Sequence, residues 1–223
     1  LGTGRGYLLD TLAPTAVATV SSLSADTGTS ASDFITNVAS QTVKGTYTDT
    51  MVAGELIQVS ADDGVTWVTA SRSGVNWSAS GVNLNSGAGS LSVRTIDAAG
   101  NATLGMGHSY LLDKVGPTAV ATVTGLSLDT GTSASDRITN VASQTVMGTY
   151  TGILGTDELI QVSADGGKTW VAASTDGSTW SAVGVTLSSG MGTLGVRTID
   201  AAGNLMLGTG RGYLLDTLAP TAV

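Results

Sequence analysis

Short apolar runs alternate along this chain with clusters of glycine, aspartate, asparagine and serine. Within the runs, β-branched and aliphatic residues tend to occupy every second position, and stretches with a helical period are missing. Runs of this kind between turn-forming residues are typical of β-strands. In the first half of the chain the pattern predicts seven strands, over residues 15–23, 41–47, 55–60, 65–70, 77–82, 90–96 and 103–112. The predicted fold class is therefore all-β.

The same pattern occurs twice. Residues 7–109 recur as residues 110–212, with roughly seven in ten aligned positions identical, and the segment YLLD returns a third time at Tyr213. A repeat of this length has the size of a small domain and is too long for a solenoid unit. We therefore predict tandem immunoglobulin-like β-sandwich domains of about seven strands, joined end to end.

The repeats define the predicted domain boundaries. Residues 1–9 are predicted to be the last strand of a preceding repeat, 10–112 the first repeat, 113–215 the second, and 216–223 the start of the next. The terminal segments 1–9 and 217–223 are expected to be extended and able to pair with strand edges of other chains. A monomer is the expected state. The link between the repeats is too short to act as a loose tether.

Differences between the copies predict which side chains face the core. Lys44 becomes Met147 in the second copy, whereas Val43 and Tyr47 recur unchanged. Because alternate residues of a strand face opposite ways, Lys44 is expected to face solvent, and Val43 and Tyr47 the core.

The composition and net charge of the chain exclude several classes of function. The formal charge of −8 and the pI near 4.3 argue against nucleic-acid binding, which needs a basic surface. The chain has no cysteine, so it has neither disulfides nor thiol chemistry, and no apolar run reaches membrane-spanning length. Small domains without disulfides often depend on a bound metal instead.

Acidic residues are retained between the copies more strictly than basic ones. Of 17 acidic residues, 13 occupy equivalent positions, whereas among the basic residues only Arg94 recurs strictly, as Arg197. The retained acids are Asp10/Asp113/Asp216, Asp26/Asp129, Asp33/Asp136, Glu55/Glu158, Asp62/Asp165 and Asp97/Asp200. Since an ordinary solvated surface would let charges of both signs vary alike, we expect a bound cation to supply the missing positive charge.

The predicted topology gathers several of these acids at one end of each sandwich. The first set is Asp10, Glu55, Asp97 and Asn101, and the second, expected at the domain junction, is Asp113, Glu158, Asp200 and Asn204. Neighbouring carboxylates repel one another. Calcium suits such a site because it takes six to eight oxygen ligands, whereas magnesium needs stricter octahedral geometry and zinc prefers histidine or cysteine.

A second candidate site is the loop DTGTSASDFITN at residues 26–37, repeated at residues 129–140. Its oxygen ligands would be Asp26, Ser30, Asp33 and Asn37, and in the second copy Asp129, Ser133, Asp136 and Asn140. The spacing is not that of an EF-hand. Two interpretations stay open, namely a calcium site, and a set of Asx and Ser/Thr turns that need no metal.

The pattern S-x-D-x-G-x-T-W occurs at residues 60–67 and 163–170. It resembles the Asp-box of sialidase-type propellers, in which it forms a structural hairpin turn, and Asp-Gly between strands is itself a hairpin signal. Trp67 and Trp170 are predicted either to pack on the protein or to form a carbohydrate-binding surface. The same alternatives apply to Trp77 and Trp180.

No catalytic constellation is evident. His108 is the single histidine and has arginine in its place in the second copy, and no G-x-S-x-G elbow accompanies the many serines. We therefore expect a protein that is not an enzyme.

Three segments carry a family resemblance. The run D-T-G-x-S-x-x-D-x-I-T-N, the turn x-D-x-A-G-N and the link L-D-x-x-x-P-T, each present in order in both copies, resemble bacterial immunoglobulin-like repeats. Such repeats form the stalks of giant calcium-dependent surface adhesins, including biofilm-associated and ice-binding types.

The resemblance implies a secreted, cell-surface extender segment that carries a distal adhesive module. It also implies calcium in and between the repeats, with both carboxylate sets and both loops as ligands, and neighbouring repeats as partners. A carbohydrate-binding module that uses Trp67 and Trp170 is the alternative function.

Overall fold

The computed structural model describes residues 6–219 of the chain. These residues divide between Lys114 and Val115 into two compact units, two residues beyond the predicted start of the second repeat. The described residues form strands and turns but no helix, so none of them belongs to a helix long and apolar enough to cross a membrane. The chain is therefore all-β, with two pairs of sheets in tandem.

The first unit contains ten strands in two sheets. They are β1 Ala18–Leu23, β2 Ile35–Thr36, β3 Ser40–Tyr47, β4 Leu56–Ser60, β5 Val68–Thr69, β6 Ser71–Ser73, β7 Asn76–Asn83, β8 Gly87–Ile96, β9 Ala102–Leu104 and β10 His108–Leu112. One sheet has the order β1-β3-β7-β6. The other has the order β2-β10-β8-β4-β5, with β9 also paired to β8.

The second unit repeats this arrangement. Its strands are β11 Val120–Leu126, β12 Ile138–Thr139, β13 Ser143–Thr151, β14 Leu159–Ser163, β15 Val171–Ala172, β16 Ser174–Asp176, β17 Thr179–Thr186, β18 Gly190–Ile199, β19 Leu205–Leu207 and β20 Arg211–Leu215. The two sheets again have four and six strands.

Each core lies between the inner faces of the two sheets. In β3, Val43 is fully buried and Lys44 is exposed, as the comparison of the copies predicts, while Tyr47 packs against the core and is partly buried. Val43 meets Ile57 and Leu91 of the opposite sheet in one apolar cluster. Burial of each such side chain contributes about 1.5–3 kcal/mol relative to exposure.

Trp77 and Trp180 belong to the cores and are 2% exposed. A Cβ atom on Gly45, opposite Trp77 in the sheet, would overlap the indole ring. The missing side chain of Gly45 therefore makes room for the tryptophan, and both rings are inaccessible to a carbohydrate.

Three strand predictions are wrong in detail. The strand expected over residues 65–70 is reduced to the two residues of β5, which pairs with β4, and a separate short strand, β6, follows it and pairs with β7 in the other sheet. The first strand begins at Ala18, and before it the carbonyls of Pro14 and Ala16 accept hydrogen bonds from the side-chain hydroxyls of Thr103 and Thr95. The two-residue strand β2, which pairs in parallel with β10, lies inside a segment expected to be a loop.

The predicted strand over residues 103–112 is also interrupted. Between β9 and β10 the chain leaves β8, and Met106 exchanges hydrogen bonds with Ala18 and Val20 of β1. A Cβ on Gly105 would overlap the carbonyl oxygen of Ala18, and one on Gly107 the carbonyl oxygen of Leu91. Glycine at both positions lets the crossing segment approach its neighbours closely.

The predicted terminal strand over residues 1–9 falls partly on residues 1–5, which lie outside the described residues, and residues 6–9 form no strand. In the complete repeat, the equivalent segment Tyr110–Leu112 pairs with β8, and no strand among residues 6–219 pairs with Tyr7 in this way. At the other end, residues 217–219 form no regular structure and 220–223 lie outside the described part.

Candidate functional site

The base of the loop at residues 26–37 is fixed by a buried amide. Gln41 of β3 is 2% exposed, although it occupies an inward position in an apolar strand. Its Nε2 donates to the carbonyls of Ala25 and Val38, and its Oε1 accepts from the backbone N–H of Ala25. Because an unpaired amide in the core would be costly, these bonds hold both ends of the loop in place.

Asp26 is the innermost acid of the loop. Its Oδ2 accepts a hydrogen bond from the backbone N–H of Phe34 at 3.1 Å. Its Oδ1 is buried and has no hydrogen-bond partner. Burial raises the pKa of Asp26, the Phe34 bond partly offsets this, and Asp33 raises the pKa further. The loop thus holds a carboxylate oxygen withdrawn from water with nothing to satisfy it.

The remaining ligand candidates take part in turns. Asp33 Oδ1 accepts from the backbone N–H of Ile35 at 3.0 Å, and Ser30 Oγ accepts from that of Ser32 at 3.3 Å. Asn37 Oδ1 accepts from the hydroxyl of Thr27 at 3.1 Å. The Asx and Ser/Thr turns expected under the metal-free interpretation are therefore present, and they leave Asp26 Oδ1 unsatisfied.

The loop at residues 129–140 has the same bonds. Asp129 Oδ2 accepts from the backbone N–H of Arg137 at 2.8 Å, and Asp129 Oδ1 is again buried without a partner. Asp136 Oδ1 accepts from Ile138, Ser133 Oγ from Ser135, and Asn140 Oδ1 from Thr130. The unsatisfied oxygen is thus a property of both repeats.

Each loop contains one non-glycine residue with left-handed backbone geometry. Phe34 has φ of 61° and Arg137 has φ of 64°, and neither is glycine. Such a conformation is unfavourable for a large side chain and persists only where the surroundings impose it. Here it aims the N–H of each residue at the buried aspartate.

The last strand of each repeat brings a further acid to the loop end. The backbone N–H of Asp113 donates to the carbonyl of Thr36, and that of Asp216 to the carbonyl of Thr139. In the second unit, Asp216 lines an open cleft of about 410 Å³ together with Thr130 and Asn140. The sequence assigns Asp113 to the set with Glu158, whereas its hydrogen bond places it beside the loop of its own unit.

The set expected at the other end of the first unit shares one cleft. Asp10, Glu55 and Asp97 line an open cleft of about 360 Å³. Glu55 Oε2 accepts from the backbone N–H of Val52 at 2.9 Å. The side chain of Asn101 donates to Asp97 Oδ2 and to the carbonyl of Asp10.

Hydrogen bonds already satisfy much of this set. The hydrogen bond from the Asn101 side chain is the main reason why the pKa of Asp97 is lowered. In the second unit, Asn204 donates to both carboxylate oxygens of Asp200, and Glu158 Oε2 accepts from Gly155. Within residues 6–219, no group of three or more acidic or histidine side chains is gathered closely enough to hold a metal by itself. The metal role of both sets stays a prediction.

Comparison with known families identifies the domain type. Residues 12–113 match the family model described as "Bacterial Ig-like domain". The first repeat is a bacterial Ig-like domain. The second copy, with roughly seven in ten positions identical and the same sheet order, is a domain of the same kind. No curated protein matches the chain significantly.

Solved structures show the same fold. The fibronectin(III)-like modules of Clostridium thermocellum CbhA align with a TM-score of 0.55 and 11% identity over 93% of this chain and 99% of that one. A 1.5-MDa bacterial ice-binding adhesin aligns at 0.40 and 19% identity, over 90% and 64%. A BSP domain of a biofilm-associated protein aligns at 0.28 and 15%, over 91% and 30%. Of these three alignments, only the one with the CbhA modules has a TM-score above 0.5. Because its sequence identity is 11%, it supports an Ig-like or fibronectin-like sandwich fold and nothing more specific.

In each bacterial Ig-like repeat the S-x-D-x-G-x-T-W segment is a tight turn. Asp62 accepts from the hydroxyls of Ser60 and Thr66 and from the backbone N–H of Thr66. These bonds lower the pKa of Asp62 to about 2. The indole N–H of Trp67 closes the turn on the carbonyl of Gly64 at 2.9 Å.

One face of each hairpin tryptophan is covered. The Arg94 guanidinium lies 3.9 Å from the Trp67 ring centroid, and Arg197 repeats this over Trp170. Arg94 is held by two hydrogen bonds to Gln58 Oε1. This stacking explains why Arg94 is the only basic residue that is strictly retained between the copies. The guanidinium also covers a ring face on which a sugar would stack.

Two buried polar residues were not expected at the site. Gln41 and Thr36, repeated as Gln144 and Thr139, are almost fully buried and anchor the loop, with the Thr36 hydroxyl donating to the carbonyl of Ala25. A signal for Gln41 exists in the sequence, since it is a polar residue at an inward position that is identical in both copies. Thr36 lies in the two-residue strand β2, which is too short to show an alternation of inward and outward positions, so the sequence does not indicate that it is buried.

Proposed function

We propose that this chain is a non-enzymatic extender segment of a large bacterial surface adhesin, secreted to the cell surface and stiffened by calcium. The tandem near-identical repeats and the bacterial Ig-like family support a structural role. Repeats of this kind serve as spacers, because each copy adds length without adding a unique pocket.

The observation that carries the calcium proposal is the buried, unpartnered oxygen of Asp26 and Asp129. Leaving a charged acceptor unsatisfied away from water costs about 1–3 kcal/mol or more. A cation at this position would remove that cost. The equivalent oxygen is unsatisfied in both loops, so this feature belongs to the repeat and is not an irregularity of one copy.

The donors around it suit a hard divalent cation. Asp26, Asp33, Ser30 and Asn37 offer only oxygen, as do Asp129, Asp136, Ser133 and Asn140 in the second loop. Calcium accepts irregular oxygen sets and completes them with water. When bound, it would supply the positive charge that the retained acids lack.

Binding would also stabilise the fold. The unfolded chain does not hold these residues together, so the free energy of binding adds to the free energy of unfolding. The carboxylate sets at Asp10, Glu55 and Asp97, and at Glu158 and Asp200, are the proposed additional sites.

Thermal unfolding tests the proposal. We expect calcium at a hundredfold excess over its Kd to raise the Tm by roughly 10 °C relative to EDTA. The double variant Asp26→Asn/Asp129→Asn should lose most of this calcium-dependent difference, because the amide removes the charge at the unsatisfied oxygen.

The matched control is Asp63→Gly. It removes an exposed carboxylate from the first repeat and installs the residue that the second repeat carries at Gly166. This variant should keep the full calcium effect. Equal Tm values of the unsubstituted protein in calcium and in EDTA would contradict the proposal.

A further inference from the structure

The two loops share their candidate ligands but not their neighbouring charges. Position 34 is phenylalanine in the first repeat and Arg137 in the second, and His108 corresponds to Arg211. The second loop therefore has two guanidinium groups where the first has two aromatic rings.

The backbone around the buried aspartate does not differ. Phe34 and Arg137 have nearly the same φ, and both donate their N–H to the aspartate Oδ2, at 3.1 and 2.8 Å. Both aspartates also keep the unsatisfied Oδ1. A difference in cation binding between the loops would thus come from the side chains of the neighbours.

In each repeat, a contact with the last strand holds the side chain of Phe34 or Arg137 in place. In the first, the Phe34 ring stacks on His108 with centroids 3.7 Å apart. In the second, Arg137 Nε donates to the carbonyl of Gly212 at 3.0 Å, and Arg211 Nη1 to that of Gly210 at 3.1 Å. The acceptors of these two hydrogen bonds are carbonyls, which leave the positive charge of each guanidinium in place.

From this we infer that the two loops bind calcium with graded affinity, the first tightly and the second more weakly, because Arg137 and Arg211 repel a cation at the second loop. The inference rests on the proposed calcium binding. The first loop has two nearby bases of its own. His108 acts electrostatically on Asp26 but, unlike arginine, is not permanently charged. Lys114 is exposed and follows Asp113 beyond the end of β10, whereas Arg137 lies within the second loop.

Coulomb's law sets the size of the effect. One unit charge about 8 Å from a divalent ion changes its affinity roughly fivefold in water and about twofold once physiological salt screens it. Two arginines should therefore separate the loops by about 25-fold at low ionic strength, and by about fourfold in physiological salt. As calcium falls, the second loop would lose its ion first.

A calcium titration followed by NMR distinguishes the loops. The amide signals of Gly28 and Gly131 report the first and second loop separately, since each glycine lies within one loop. At low ionic strength we expect the Gly28 signal to reach its midpoint at about 25-fold lower free calcium than the Gly131 signal. In Arg137→Phe/Arg211→His, the Gly131 midpoint should move to that of Gly28, and in Phe34→Arg/His108→Arg the Gly28 midpoint should move to that of Gly131.

A matched control changes two charges elsewhere. Lys44→Met/Arg72→Thr removes two bases from the other sheet of the first repeat and installs the residues that the second repeat carries. Both midpoints should stay in place. Every substitution in these three variants reproduces the residue of the other repeat, so each variant is expected to fold.

The outcomes separate the two proposals. Calcium-dependent shifts at both glycines with equal midpoints, or a separation that the arginine swaps leave unchanged, would overturn the graded affinity and keep calcium binding. No shift at either glycine would overturn calcium binding at the loops, and the grading with it.

Discussion

The surroundings of each carboxylate decide whether an aspartate of this chain is fully hydrogen-bonded or is left with an unsatisfied oxygen. Asp62 accepts hydrogen bonds from two hydroxyls and a backbone N–H, which favour its charged form and lower its pKa to about 2. Asp26 has one satisfied and one buried, unpartnered oxygen, and burial raises its pKa. The first carboxylate stabilises a turn by itself, whereas the second lacks a partner.

The pKa of Asp62 can be checked directly. Because its pKa in the folded state lies below the ordinary value of 3.8, Asp62 contributes stability that is present above about pH 4 and is lost as the pH falls toward 2. Thr66→Val removes the hydroxyl donor at 2.6 Å and should raise this pKa toward 3.8, as measured by NMR titration of the side-chain carboxyl. Thr69→Ala, which copies the second repeat, is the control and should leave the value at about 2. An Asp62 pKa near 3.8 in the unsubstituted protein would refute the explanation.

At the level of strands, the last segment of each repeat serves both sheets. β9 and β10 pair with β8, and between them Met106 bonds to β1 of the opposite sheet. This contact covers backbone groups at the edge of β1, which would otherwise be open to pairing with another chain. Gly105 makes it possible, since any side chain there would overlap the carbonyl of Ala18.

Replacement of that glycine should be severe. Gly105→Ala places a methyl group against backbone that cannot move aside, so we expect a loss of roughly 3 kcal/mol or more in the free energy of unfolding of the first repeat. The comparison is Gly125→Ser in β11, which has no atom within 4 Å of the new Cβ and restores the serine found at Ser22. Urea titration measures both, and similar midpoints for the two variants would disprove the role given to Gly105.

For the whole molecule, the repetition of one domain matters more than any single pocket. Each repeat has its own core, its own loop with an unsatisfied aspartate oxygen and its own arginine-covered tryptophan. The net charge of −8 is spread over acids that lie at equivalent places in both repeats. At low calcium these charges repel one another, and a bound divalent ion would reduce that repulsion.

Small-angle scattering tests the mechanical part of the proposal. In calcium we expect a stiff, extended particle with the mass of a monomer, 22.1 kDa. In EDTA the maximum dimension should shorten, because domains whose acidic side chains are not neutralised by calcium bend more freely. The Asp26→Asn/Asp129→Asn variant distinguishes the contribution of the loops from that of the carboxylate sets. Any calcium-dependent stiffening that remains in this variant would come from the carboxylate sets. Profiles of the unsubstituted protein that are identical in calcium and EDTA would count against a calcium-stiffened stalk.

The sequence by itself determined the all-β class, the tandem division and the facing of residues such as Val43 and Lys44, because strand period and repetition are local properties that a single chain displays. It also placed Asp26 and Asp33 in one loop. Only the tertiary structure decided that Asp26 Oδ1 is buried without a partner, that Gln41 anchors the loop, and that Arg94 covers Trp67. These features depend on how residues distant in sequence pack together, and the alternation of apolar and polar positions carries no information about such contacts. The shortening of the strand expected over residues 65–70 has the same origin, since β5 pairs with β4 while the next strand, β6, pairs with β7 of the other sheet.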